Sequence, residues 1–241
     1  KIFTLSLKKD SMNSRGYGVP RDNRASYHES SGQNETLERD VQFLNCCFDD
    51  IEKFVARLQA AAEAYKQLES RRHERQQHRK KHDKGPPKQD GMLSMRARPP
   101  PADDFIDIFQ KIKWAFNLLA KLKAHIHDPN APELVHFIFT PLSLIYEASR
   151  DPVHQGVDLA SKAVSPLLTR EAKELLLNCL TSKELELWQV LGRNWTTSED
   201  EYPGHVEAFH PRFYNGWTPS PPAVARDTRQ FPSPRDPPEN G

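Results

Sequence analysis

Cysteine is scarce in this 241-residue chain: there are three, Cys46, Cys47 and Cys179, two of them adjacent. So low and odd a count argues against a disulfide framework and points to a reducing compartment. Long apolar runs are missing too. The most apolar stretch, Leu134 to Tyr146, covers 13 residues and carries His136, Thr140 and Pro141, which is too short to span a bilayer. The opening Lys1-Ile2-Phe3-Thr4-Leu5-Ser6-Leu7 has neither the length nor the small-residue cleavage site of a signal peptide. A start without Met points to a fragment of a longer product. Charge of neither sign is in excess: 34 basic against 33 acidic residues leave +1, so no global field draws nucleic acid or membrane to the whole chain.

Patterns for catalysis, metals and cofactors are also absent. His73-Glu74 followed by His78 resembles a zinc-protease helix, but its histidines are five apart where one shared metal needs four. His125 and His127, two apart, face different ways. No glycine loop cradles a phosphate, no Gly-x-Ser-x-Gly elbow occurs, and Gly16-Tyr17-Gly18 has no strand before it. Cys46 and Cys47 fall in an apolar helical pattern, where buried thiols are inert. The expectation is therefore no enzyme, no cofactor, no catalytic residue and no metal site.

What is present is helical periodicity. Residues 1–35 are rich in Ser, Asn, Arg and Gly without a period and read as a disordered arm. From Leu37 the pattern changes: Val41, Leu44, Phe48, Ile51, Val55, Leu58, Ala62 and Tyr65 follow at spacings of four and three, with Cys47, Phe54, Ala61 and Leu68 widening the stripe. So wide a seam is the core face of a long bundle helix, running to about His82, where Gly85-Pro86-Pro87 stops it. A Pro/Gly-rich connector over 83–101 precedes a second helix from Phe105 to Ile126, with Asp103 or Asp104 as its cap and first-turn acid. A third opens at Pro132 and should kink or break at Pro141. Short helices follow at about 153–164 and 166–180, the latter opened by Ser165-Pro166, and a last one from Ser182 stops at Gly192.

The fold class is all-α: an irregular bundle of about five or six helices over 36–195, led by one long helix and flanked by disordered N- and C-terminal arms. Residues 196–218, with Phe209, Phe213, Tyr214 and Trp217 among Pro and Gly, should lie extended across the bundle. Residues 219–241 read as a disordered Pro-rich linker.

One electrostatic feature stands out. Arg71, Arg72, Arg75, Arg79, Lys80, Lys81 and Lys84 face only Glu74 and Asp83, a net +5 over 71–84. Such a cluster is either a solvated helix end or a candidate electrostatic site for an anionic membrane surface or an acidic filament. A nucleic-acid-binding module is the alternative; it is less favoured because no aromatic residue interleaves with the cations to stack on bases.

Several stretches carry a family resemblance: Phe43 to Glu52 (Phe-Leu-Asn-Cys-Cys-Phe-Asp-Asp-Ile-Glu), Phe109-Gln110-Lys111-Ile112-Lys113, Phe116 to Lys123, Glu133 to Phe137, Ser165 to Thr169, and Arg212-Phe213-Tyr214-Asn215-Gly216-Trp217. Together they resemble the epidermal growth factor receptor kinase substrate 8 and 8-like adaptor family, over about residues 37–220. The resemblance implies the region between a phosphotyrosine-binding-type domain and an SH3 domain. It also implies a cytoplasmic adaptor, peripheral at the plasma membrane or ruffles, that links receptor tyrosine kinases to Rac activation and actin remodelling. In that family Abl-interactor proteins meet the SH3 domain and a C-terminal helical module binds actin. This sequence contains none of those domains, so no residue here inherits their roles.

Overall fold

The structure, a computed structural model, describes residues 24–79 and 91–218. All regular elements there are helical, and the two isolated β-bridges, His127 with Asn130 and Leu168 with Ser198, belong to no strand. The all-α architecture is as read from periodicity, with eight α-helices among the described residues rather than five or six. The C-terminal segment 219–241 and residues 1–23 lie outside the described residues.

Helix α1 (Arg24–Arg79) has 56 residues, about 84 Å at 1.5 Å per residue. It starts well upstream of 36, taking in part of the segment read as an arm. Extending a formed helix costs far less than nucleating one, so the ladder continues N-terminally from the buried segment through a composition that reads as coil. Val41, Leu44, Phe48 and Ile51 are buried, after which the buried face passes to Phe54, Ala64 and Leu68. Ala62 and Tyr65, assigned to the stripe by spacing, are exposed, Tyr65 by 57%. Strict alternation of three and four has a 3.5-residue period, and a straight helix drifts about 20° per heptad against it. Four heptads separate Leu37 from Tyr65, enough to turn that side chain out of the core.

The connector is not wholly irregular. Helix α2 (Gly91–Arg96) packs on α1, with Leu93 sharing a surface groove with Ala61 and Ala64. Helix α3 (Ala102–Leu122) follows. Its N-cap is Pro101, with no side-chain cap, so neither aspartate caps the helix; Asp103 and Asp104 are first-turn acids, as expected, and Asp104 pairs with Arg57 at 2.7 Å. Most of α3 is buried, including Phe105, Ile108, Phe109, Ile112, Phe116 and Leu119, all fully inaccessible.

Helix α4 (Ala131–Ser149) begins with a capping box, Asn130 accepting from the Glu133 N–H and Glu133 from the Asn130 N–H, with Pro132 in the first turn. It runs through Pro141 without a break. An internal proline costs about 3 kcal/mol, but Val135, Ile138 and Phe139 before it and Leu142 and Ile145 after it are all buried. Each such side chain contributes on the order of 1.5–3 kcal/mol, so both halves are held to the same core.

In place of one helix at 153–164 there is a 3-10 turn (Pro152–His154) and a single turn of helix α5 (Leu159–Lys162). Gln155 and Gly156, at φ 55° and 73°, take left-handed backbone that no helix continues through. Ser165-Pro166 does not open the next helix: it is a cis peptide, and α6 (Arg170–Cys179) is capped by the Thr169 hydroxyl. The cause lies in α3, where Asn117 donates to the Leu167 carbonyl at 2.8 Å and accepts from the Thr169 N–H at 2.9 Å, holding 167–169 off the helical path. Helix α7 (Ser182–Val190) starts one residue after its cap Thr181, which forms a second capping box with Glu184. Gly192, at φ 97°, separates it from α8 (Arg193–Thr196). Helix α3 is the hub, contacting α1, α4, α5 and α6. Phe54 meets Phe105 edge-on at 5.1 Å, and Trp195 meets Phe109 at 5.8 Å while donating to the Ala160 carbonyl at 2.9 Å.

Candidate interaction surfaces

Leu68 is the last buried residue of α1; from Glu69 to Gln77 the helix continues with no buried side chain. Arg71 and Arg72 are exposed and Arg75 is half-buried on this stretch, and Arg72 pairs with Glu69 at 3.0 Å. Arg79 closes the helix, but its side chain, like Lys80, Lys81 and Lys84 entirely, lies outside the described residues. The structure thus brings three of the seven cations together on one helix end.

A second feature joins distant parts of the chain. Lys111 is fully buried; its ammonium donates to Asp50 at 2.8 Å and to Asp107 at 2.7 Å. Asp50, equally buried, also accepts from the backbone N–H of Tyr214 at 3.1 Å. The Tyr214 ring lies 4.3 Å from the Lys111 ammonium, and burial together with the Asp107 and Asp50 charges pushes its hydroxyl up to about 12. Burial raises the Asp107 carboxyl more than its bond to Lys111 lowers it. Around this pair Phe43 stacks edge-on to Trp217 at 5.0 Å and to Trp114 at 6.1 Å, and Phe213 is buried. The segment Arg212 to Trp217 is therefore tied down on the α1–α3 seam. Sequence reading missed the network. Its signal in the sequence was a lysine, Lys111, placed one turn from Ile108 and beside Ile112 on the apolar pattern of Phe109-Gln110-Lys111-Ile112.

Lys113 is the other charge missed. It is fully buried, and its ammonium donates to the carbonyls of Ala163 at 3.0 Å and Val164 at 2.8 Å. Burial lowers its pKa to about 7, because no opposing charge offsets lost hydration.

A groove of about 850 Å³ lies between α1, α3, the 166–171 loop and the irregular segment 204–209. Its walls carry Trp114, Leu118, Leu167, Val206 and Phe209. Asp40 lines it with a side chain only 8% exposed, paired to the exposed Lys121 at 2.6 Å. Among the described residues there is no group of three or more His, Cys, Asp or Glu placed to hold a metal ion, and no helix long and apolar enough to cross a membrane.

A long helix packed against shorter ones, with no strand among the described residues, defines an all-helical domain, and the chain belongs to the EPS8 spectrin-like domain family, whose model matches residues 39–203. It is 47% identical over 187 residues to human epidermal growth factor receptor kinase substrate 8-like protein 2, covering 77% of this chain and 25% of that protein. To the Mus musculus epidermal growth factor receptor kinase substrate 8 it is 44% identical over 199 residues, 80% of this chain and 23% of that protein. Mus musculus 8-like protein 1 is 42% identical over 198 residues, with shares of 82% and 26%. The chain spans about a quarter of the length of these curated relatives. No solved structure matches it.

Proposed function

We propose that this domain is a non-catalytic scaffold within a signalling adaptor, cytoplasmic and peripheral at membrane ruffles, that links receptor tyrosine kinases to Rac activation and actin remodelling. Its own contribution is to hold neighbouring modules at a set separation. The basic stretch 71–84, with Arg71, Arg72, Arg75 and Arg79 on α1 and Lys80, Lys81 and Lys84 following it in sequence, makes electrostatic contact with an anionic membrane or acidic filament. Abl-interactor proteins and actin are engaged by other modules of such an adaptor.

The observation that carries this reading is the continuity of α1, one uninterrupted helix from the buried core at Val41 into a stretch, Glu69 to Gln77, with no buried side chain. A rigid cationic projection on a packed body suits positioning rather than chemistry. Each cation near an anionic bilayer contributes on the order of 1 kcal/mol, screened by salt. Replacing Arg71, Arg72, Arg79, Lys80 and Lys81 by Gln should weaken co-sedimentation with phosphatidylserine vesicles or actin filaments. Unchanged sedimentation at low salt would remove the role of this end.

A further inference from the structure

The groove beside α3 is not used by that reading. Its lining carries the carboxylates Asp40, Glu171, Glu199 and Glu207 against a single lysine, Lys121, which is already paired with Asp40, and one histidine, His205. Two cations of the neighbouring helix α6 are already engaged, Arg170 with Glu174 and Lys173 with Glu201. Between the carboxylates run apolar walls: Trp114, Leu118 and Leu167 on one side, Val206 and Phe209 on the other. The volume is within the range of about 300–1,000 Å³ that ligand sites occupy.

Two details distinguish this groove from an ordinary surface crevice. First, Asp40 is a nearly buried carboxylate whose counter-ion is the 56%-exposed Lys121, a flexible point charge. A guanidinium from outside could replace that ammonium and bind both carboxylate oxygens at once, which an ammonium cannot do. Second, Trp114 has its indole N–H buried and without an acceptor among the described residues. Buried donors left unpaired are rare and costly; the Phe209 ring packs against Trp114 with centroids 5.8 Å apart, so a peptide carbonyl would satisfy the indole only by displacing Phe209. Asn117 of α3, also in the lining, is already committed to Leu167 and Thr169.

We infer that this groove is a docking site for a short segment of a partner protein in which an arginine is flanked by apolar residues. The arginine binds Asp40, the apolar neighbours lie against Leu118, Leu167 and Val206, and Glu171, Glu199 and Glu207 steer the approach. The site uses no residue of the cationic end of α1, so it stands or falls separately from the proposal above.

The test is panning a phage-displayed library of random dodecapeptides on the full chain. Enriched peptides should carry an Arg beside Leu, Ile or Phe. Synthetic copies should bind about tenfold more weakly to the Glu171→Gln/Glu199→Gln/Glu207→Gln variant, and should lose most affinity when their Arg becomes Ala. The Ala208→Trp variant fills the groove from an exposed position without touching the core, so it guards against misfolding of the carboxylate variant; it should also abolish binding. No enrichment, enrichment of acidic or uncharged sequences, or peptides indifferent to both variants would overturn the inference. So would salt-sensitive self-association of the chain that the triple variant removes, because the occupant would then be a second copy.

Discussion

Replacing Asp50 by Ala tests whether the Lys111 network holds the fold together. The change leaves a fully buried ammonium with Asp107 alone, a carboxylate that is 35% exposed, and strips the Tyr214 N–H of its acceptor. Removing one partner of a buried pair costs about 3–5 kcal/mol. Because Asp107 remains, the lower end applies to the ion pair, and the orphaned amide recovers water once 212–217 lifts away. The expected loss is therefore about 3 kcal/mol, a Tm lower by roughly 6–12 °C for a chain of this size. Asp50→Asn, which keeps an acceptor for Tyr214, should lose less. Lys111→Met alone should also destabilise, since it strands the Asp50 charge, whereas the Asp50→Asn/Lys111→Met pair should recover much of the loss. Urea unfolding followed by tryptophan fluorescence gives all corners of this cycle, and limited proteolysis near Arg212 reports release of the tail. A loss below about 1 kcal/mol for Asp50→Ala, or simple additivity in the double variant, would refute the claim that these charges act as one unit.

Lys113 predicts an unusual pH profile. Its folded pKa is near 7, below the ordinary 10.5, so between those values the unfolded chain binds the extra proton and stability rises with pH. The gain is up to about 1.4 kcal/mol per pH unit; urea midpoints of wild type and Lys113→Met compared from pH 7 to 9 should differ by that slope, and parallel curves would count against it. Asn130→Ala removes the α4 capping box and should cost about 1 kcal/mol, read by thermal melting, with the change to Gly costing only a few tenths.

Local signals served some elements well and others poorly. The apolar spacing of α1 and the capping sequence Asn130-Ala131-Pro132-Glu133 are short-range and could be read directly. What escaped was set by contacts across the fold. Asn117 decides where α6 begins, 53 residues away at Arg170, so Ser165-Pro166 misled. Burial on both sides of Pro141 overrides its local cost, and a packed helix carries its ladder back to Arg24 through residues with little helical preference of their own. The candidate surfaces follow the same division. The cations at 71–84 stand out by count, whereas the groove carboxylates Asp40, Glu171, Glu199 and Glu207 are scattered over 168 positions and converge only in three dimensions. Lys111 and Lys113 look like solvent-facing residues until α1 and α5 close over them.

The pairing of Trp217 with Phe43 fixes where the polypeptide departs from the body. Phe43 lies 19 positions along α1 from Arg24, about 28 Å by helical rise, whereas Arg75 is 32 positions away in the other direction, about 48 Å. Whatever precedes α1 and whatever follows Thr218 are thus attached toward the same pole. Arg71, Arg72 and Arg75 lie toward the opposite pole of the helix, about 40–50 Å of helical rise from that attachment.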